Sequence, residues 1–183
     1  MKGKIKVVAA ARIFHRDRLI KKVGVDTDVM IALIDDVDQF SMFKPKIYSR
    51  NNFLHINYIV FSELMGHFMY NRKLSQNQAR DKIFLYLREN GIKLLKKSDT
   101  DLKRAQEIFG SLDKQRKALD NKAGDKDLKI ISIYKLHEID LIYSRNSDDF
   151  EPFCRYLGIS FEKLQDNMDV MWKRAFGYRK KRR

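Results

Sequence analysis

The chain has 183 residues, 44% of them apolar and 34% charged, and carries a net charge of +14. That length suits one domain with a real core, perhaps with an arm or tail, and no stretch approaches the roughly 18 consecutive apolar residues of a membrane span. A single cysteine, Cys154, excludes an internal disulfide framework and a multi-cysteine zinc site, so a reducing cytoplasm is the expected compartment.

The charge sits at the two ends. Residues 1–22 carry eight Lys/Arg and one acid, and residues 173–183, KRAFGYRKKRR, carry seven and none, so each end contributes +7 around a neutral body. Basic arms find polyanions because each phosphate contact releases counterions. Lys173, Arg174, Arg179, Lys180 and Lys181 are therefore candidate nucleic-acid contacts; the plainer reading is solubility. Residues 1–18 contain too short an apolar segment for a secretory signal.

In chain order, IKVVAAARIF reads as either a strand or an amphipathic helix. KKVGVDT reads as a short buried strand, followed by a helix over about 28–36. No element is read between 37 and 56. NYIVFSELMGHFMYNRK has Ile59, Val60, Leu64, His67 and Phe68 at helical spacing. SQNQARDKIFLYLRENG opens on a serine cap and closes on Asn-Gly, the signals of a helix. IKLLKK is a strand candidate, and SDTDLKRAQEIFGSL is a capped helix with Leu102, Ala105, Ile108 and Phe109 on one face. DKQRKALDNKAGDK reads as a mobile loop or a frayed helix end. DLKIISIYKLHE is helical, IDLIYS is a strand, and DDFEPFCRYLG is a short helix. SFEKLQDNMDVMWKRAFGY starts with a serine cap and reads as a last helix. Alternation of strand and helix argues for an α/β layer structure with a mostly parallel sheet.

In such sheets ligands bind beyond the carboxyl ends of the strands. Asp26 stands at the carboxyl end of the first strand, and SRNSDDF (144–150), with Asp148 and Asp149, at that of the last. Asp125 and Asp127 precede the helix feeding that last strand, and Glu63 interrupts the apolar run YIVFSELMGHF. Singly each has a bland reading: Asp26 and Asp127 as helix caps, Glu63 as a solvated side chain, Asp149 as a turn residue. Together they place acids from four distant segments at one sheet edge, where they repel one another unless a hard cation intervenes. Oxygen-only donors suit Mg2+ or Mn2+. Thr27 and Ser144 are candidate hydrogen-bond donors to these acids. His67 and Trp172 are more simply packed side chains than phosphate or base contacts, and Cys154 has no evident base to make it a nucleophile.

These segments resemble the PIN-domain family of metal-dependent ribonucleases. VGVDTDVMIALI resembles the family's opening motif, FSELMGHF its helix-borne Glu, and GDKDLKIISIYKL its third acid, three residues before an Ile. LIYSRNSDDF resembles its closing strand, seen particularly in the toxin nucleases of toxin–antitoxin pairs. The likeness runs from about 22 to 159. It implies a three-layer α/β/α domain over 22–159, flanked by a basic extension (1–21) and a C-terminal helix and tail (160–183). It also implies Asp26, Glu63, Asp127 and Asp149 as catalytic metal-site acids. Asp125 competes with Asp127 and Asp148 with Asp149, while Asn146 stands where many relatives carry Asp. The implied activity is hydrolysis of RNA, single-stranded or within tRNA or rRNA, with Arg145 and the basic ends holding the backbone. An antitoxin partner and a homodimer are further implications. A non-catalytic RNA-binding module and a structure-specific DNA nuclease are the competing readings.

Overall fold

The computed structural model describes residues 20–35, 38–96 and 98–164. Five strands form one sheet: β1 (Lys21–Val25), β2 (Asn52–Ile56), β3 (Lys93–Leu94), β4 (Leu141–Ser144) and β5 (Ser160–Lys163). Their order is β3-β2-β1-β4-β5 and every pairing is parallel. The helices are α1 (Thr27–Ile34), α2 (Lys44–Ile47), α3 (Tyr58–Gly66), α4 (Gln76–Glu89), α5 (Asp99–Ala118), α6 (Asp125–Leu136) and α7 (Ser147–Leu157). They flank the sheet and give the three-layer α/β/α architecture.

β1 is central, paired to β2 on one side and β4 on the other, so both of its faces are covered. This explains why its second half reads Val-Gly-Val with no polar alternation: Val23, Gly24 and Val25 are all buried. Gly24 is required by a close approach. A Cβ there would lie 2.8 Å from Cε2 of Tyr134, which crosses from α6 to donate its hydroxyl to Val25 O at 2.7 Å. Asn57, also buried, ends β2 and caps α3, its Oδ1 accepting from the Ile59 and Val60 N–H groups at 2.9 and 3.1 Å. Ser75 and Gln78 complete a reciprocal capping box on α4, as the Ser-x-x-Gln spacing demands.

Three stretches depart from the sequence expectation. β2 falls in the unassigned interval; NFLHI is short, with exposed Phe53 and buried His55 interrupting its pattern, and only its central position buries Leu54, His55 and Ile56. The serine expected to open a last helix instead opens β5, an edge strand whose Phe161 packs on the core while Ser160 and Lys163 at its two ends are exposed. A serine after a left-handed glycine, here Gly158, starts a strand as readily as a helix, and pairing with β4 decides between them. In the third, 113–126, read as a loop or a frayed helix end, the helix-end reading holds as far as Ala118, where regular α5 stops. Asp113 accepts from Arg116 and Lys117, and Arg116 also binds Ala123 O at 3.0 Å and Asp125 at 2.7 Å.

α6 is buried on more than one side: Leu128, Ile130, Ile131, Ser132, Ile133 and Tyr134 are all inaccessible. No helix among the described residues is long and apolar enough to cross a membrane. The readings of IKVVAAARIF, of Trp172 and of the basic tail, including Lys173, Arg174, Arg179, Lys180 and Lys181, fall outside the described residues.

Candidate active site

From β1 the chain moves outward to β2 and β3 on one side, and later to β4 and β5 on the other. The crevice between the carboxyl ends of β1 and β4 is thus the topological switch point, where α/β sheets bind ligands. Asp26 enters it directly from β1, its N–H bonded to Tyr143 O at 3.0 Å. α3 brings Glu63 from the β2 side. α6 runs back toward the start of β4, so its first turn, with Asp127, lies at the same rim; α7 brings Asp149 from the end of β4.

A cavity of about 730 Å³ opens here, lined by residues that include Asp26, Asp28, Glu63, Lys126, Asp127 and Asn146. Asp26 is buried and caps α1: its Oδ1 accepts from the Thr27 N–H at 2.7 Å and its Oδ2 from the Ser144 hydroxyl at 2.7 Å. The Thr27 hydroxyl donates to Glu63 at 2.5 Å, and Lys126 Nζ lies 3.3 Å from the other Glu63 oxygen. Ser144 Oγ accepts from the Asn146 N–H at 3.0 Å, while the Asn146 side chain donates to Asp149. One hydrogen-bonded chain therefore runs from Asp149 through Asn146, Ser144, Asp26 and Thr27 to Glu63, which Lys126 meets as an ion pair. Asp127 is tied separately, accepting from the Gly124 N–H at 3.1 Å.

The electrostatics follow from this crowding. Burial pushes the Asp26 carboxyl up to about 7, against the hydrogen bonds from Ser144 and Thr27, and the charges of Asp28 and Asp127 add to the rise. Asp127 is raised by burial and then by the charges of Asp149, Glu63 and Asp28. The neighbouring acids thus make ionisation of Asp26 and Asp127 harder, the condition that a bound cation relieves. Cys154 is fully buried, its thiol pushed up to about 12 chiefly by burial, which removes it as a nucleophile.

The rival acids separate cleanly. Asp125 is exposed and paired to Arg116, whereas Asp127 faces the cavity. Asp148 is exposed and bonded to Ser147 at 3.2 Å, whereas half-buried Asp149 acts electrostatically on Asp127. Asn146 lines the cavity in its own right. Arg145 is exposed immediately after β4. His67 lines the cavity too, packed edge-on against Phe68 with Nε2 3.5 Å from Asp35. Among the cavity residues that escaped the sequence reading are Asp28, Lys126 and Tyr70. The first two had a signal, as second acid of Asp-Thr-Asp and middle residue of Asp-Lys-Asp at helix starts; Tyr70 had none.

As the side chains stand, no three His, Cys, Asp or Glu residues among those described converge tightly enough to enclose an ion. Glu63 is drawn to Thr27 and Lys126, Asp149 to Asn146, and Asp127 to Gly124. The donor set nonetheless suits a hard divalent cation: it is all oxygen, mutually repelling and open to solvent.

A parallel α/β sheet with a carboxylate-lined switch point defines an α/β protein built around an acidic site. Residues 23–156 match the PIN domain family, and the chain belongs to that family. PIN domains are generally nucleases. Its fold is similar to VapBC2 from Rickettsia felis bound to a DNA fragment from its promoter, at 17% identity and a TM-score of 0.59, covering 79% of this chain and 99% of that one. The DNA-bound VapBC from Salmonella typhimurium matches at 15% and 0.57, covering 78% and 98%. VapBC-1 from nontypeable Haemophilus influenzae matches at 15% and 0.56, covering 78% and 97%. No curated protein matches the chain in sequence.

Proposed function

We propose that the chain is an endoribonuclease dependent on Mg2+ or Mn2+, acting as the toxin of a toxin–antitoxin pair or in RNA processing. The observation carrying this reading is the gathering of Asp26, Glu63 and Asp127, from three segments, around one solvent-open cavity at the switch point, with Asp149 near enough to act electrostatically on Asp127. Asp28 adds a further acid at that rim. Bound among these acids, a divalent cation would supply an activated water and neutralise charge on the phosphate.

The protein's own groups do the rest. Thr27 and Ser144 hold Glu63 and Asp26 in fixed orientations, as supporting hydrogen bonds do around metal ligands. Asn146 takes the same part for Asp149. Lys126 offsets the acids' charge. Arg145 and the basic ends attract the RNA backbone, with affinity that falls as salt rises. Hydrolysis adds water across the P–O3′ bond, leaving a 5′-phosphate and a 3′-hydroxyl. The VapBC complexes of like fold support an antitoxin partner for the toxin role.

The test is cleavage of single-stranded RNA with Mg2+, with and without EDTA, read by the 5′-phosphate of the products and compared with flapped DNA. Wild type and Asp125→Asn should cleave. Asp26→Asn and Asp127→Asn, shown folded by circular dichroism, should lose about 100-fold or more. Wild-type rates from folded Asp26→Asn protein would end this reading; cleavage of flapped DNA alone would move the substrate from RNA to DNA.

A further inference from the structure

We propose that Tyr70 is a stacking platform for an unpaired nucleobase beside the reacting phosphate, making the site selective for single-stranded nucleic acid. The inference rests on the nuclease reading above and adds to it a base-binding subsite.

α3 does not stop at Gly66 but continues as a π-helical turn, His67–Asn71. Such turns are less stable than α-helix and often mark functional sites. Here the turn is anchored by Phe68, which is fully buried, with Lys82 Nζ 4.7 Å from its ring centre. Two residues on, Tyr70 points the other way and is 72% exposed, the most exposed large apolar side chain among the described residues. It lines the same cavity as Asp26, Glu63 and Asp127.

Exposing an aromatic face to water forgoes the burial energy that normally places tyrosine in a core or interface. The ground between ring and acids is clear. Gly66 lies between Glu63 and Tyr70 on the cavity wall, and a Cβ added there would meet nothing within 4 Å. Seven residues of helical rise, roughly 10 Å, separate the two backbone positions, so a strand whose phosphate sits at the acids carries a neighbouring base to the ring. A base still paired in a duplex cannot offer its face; an unstacked one can, and stacking on an aromatic side chain needs no particular base identity.

The experiment measures binding rather than turnover. Fluorescence anisotropy of labelled oligoribonucleotides with non-hydrolysable linkages, with the full chain and Mg2+, separates affinity from cleavage. Tyr70→Ala, whose side chain supports no core contact, should weaken single-strand binding about tenfold, while Tyr70→Phe and Tyr70→Trp keep it within about twofold. An oligonucleotide made abasic at successive positions should show the same loss at one position, and there Tyr70→Ala should add nothing. Duplex RNA of the same sequence should bind wild type and Tyr70→Ala alike. Unchanged single-strand affinity in Tyr70→Ala, or an equal loss on duplex, overturns the proposal while the nuclease reading stands if wild type still cleaves. A wild-type chain that neither binds nor cleaves RNA overturns both.

Discussion

Replacing Gly24 with alanine puts a methyl group where the Tyr134 ring already lies, with ring carbons at 2.8, 2.9 and 3.0 Å from the new Cβ. Contacts that short force one partner to move, and neither moves freely. Gly24 is locked in the middle strand, registered against His55 of β2 and Ile142 of β4. Tyr134 is wholly buried, and its hydroxyl donates to Val25 O at 2.7 Å with His55 O at 3.3 Å. Overpacking a rigid core costs about 1–3 kcal/mol, and with both partners held we expect the upper end, about 3 kcal/mol. For a chain of this length each kcal/mol lowers Tm by roughly 2–4 °C, so the variant should melt about 6–12 °C below wild type. Urea titration followed by far-UV circular dichroism should show a lower midpoint at unchanged slope. Tyr134→Phe removes the hydroxyl anchor and lets the ring tilt, so the alanine penalty should shrink in that background. The substitution should also reduce cleavage beyond the loss of folded protein, because α6 carries both Tyr134 and Asp127. A Gly24→Ala protein within about 0.5 kcal/mol of wild type would refute the claim that this ring contact sets the spacing of α6 from the sheet.

Two further predictions concern charge. Asp26 keeps its proton to about 7 in the native state against 3.8 as the ordinary value, so between these pH values the folded chain holds a proton that the unfolded chain has released. Metal-free stability should therefore fall as pH rises from about 4 to about 7 and level off above, and Asp127 acts in the same direction. Asp26→Asn has no such proton; in EDTA it should exceed wild type at pH 8 by up to about 4 kcal/mol but not at pH 4, and urea midpoints of the two proteins that differ equally at both pH values would contradict the burial argument. Lys126→Met removes the cation beside Glu63, leaving a more negative pocket and a freer carboxylate. Because the pair is largely exposed and worth at most about 1 kcal/mol, Mn2+ affinity followed by electron paramagnetic resonance should tighten about threefold to fivefold; unchanged or weaker binding would count against competition between lysine and metal.

Much of this was written locally. Asp26 could be placed at a strand end because an apolar run meets a capping residue there, and both are properties of adjacent residues. The Ser75 cap marked the start of α4 in the same way. The acids themselves could be named, since carboxylates inside apolar runs or just before helices stand out from their immediate neighbours. β2 and β5 could not be read with that confidence: NFLHI and SFEK are too short for periodicity, and they become strands by pairing with β1 and β4.

The sequence by itself therefore determined the alternation of helices with three of the five strands, the parallel sheet and a list of candidate acids, because caps, periodicity and burial preference are energies between near neighbours. Only the tertiary structure decided the order β3-β2-β1-β4-β5, and with it that the site opens between β1 and β4. It also decided which of Asp125 and Asp127 looks inward, that Lys126 meets Glu63, and that Tyr70 stands over the cavity. Those outcomes turn on contacts between segments tens of residues apart, and such contacts exist only once the strands have been put in order.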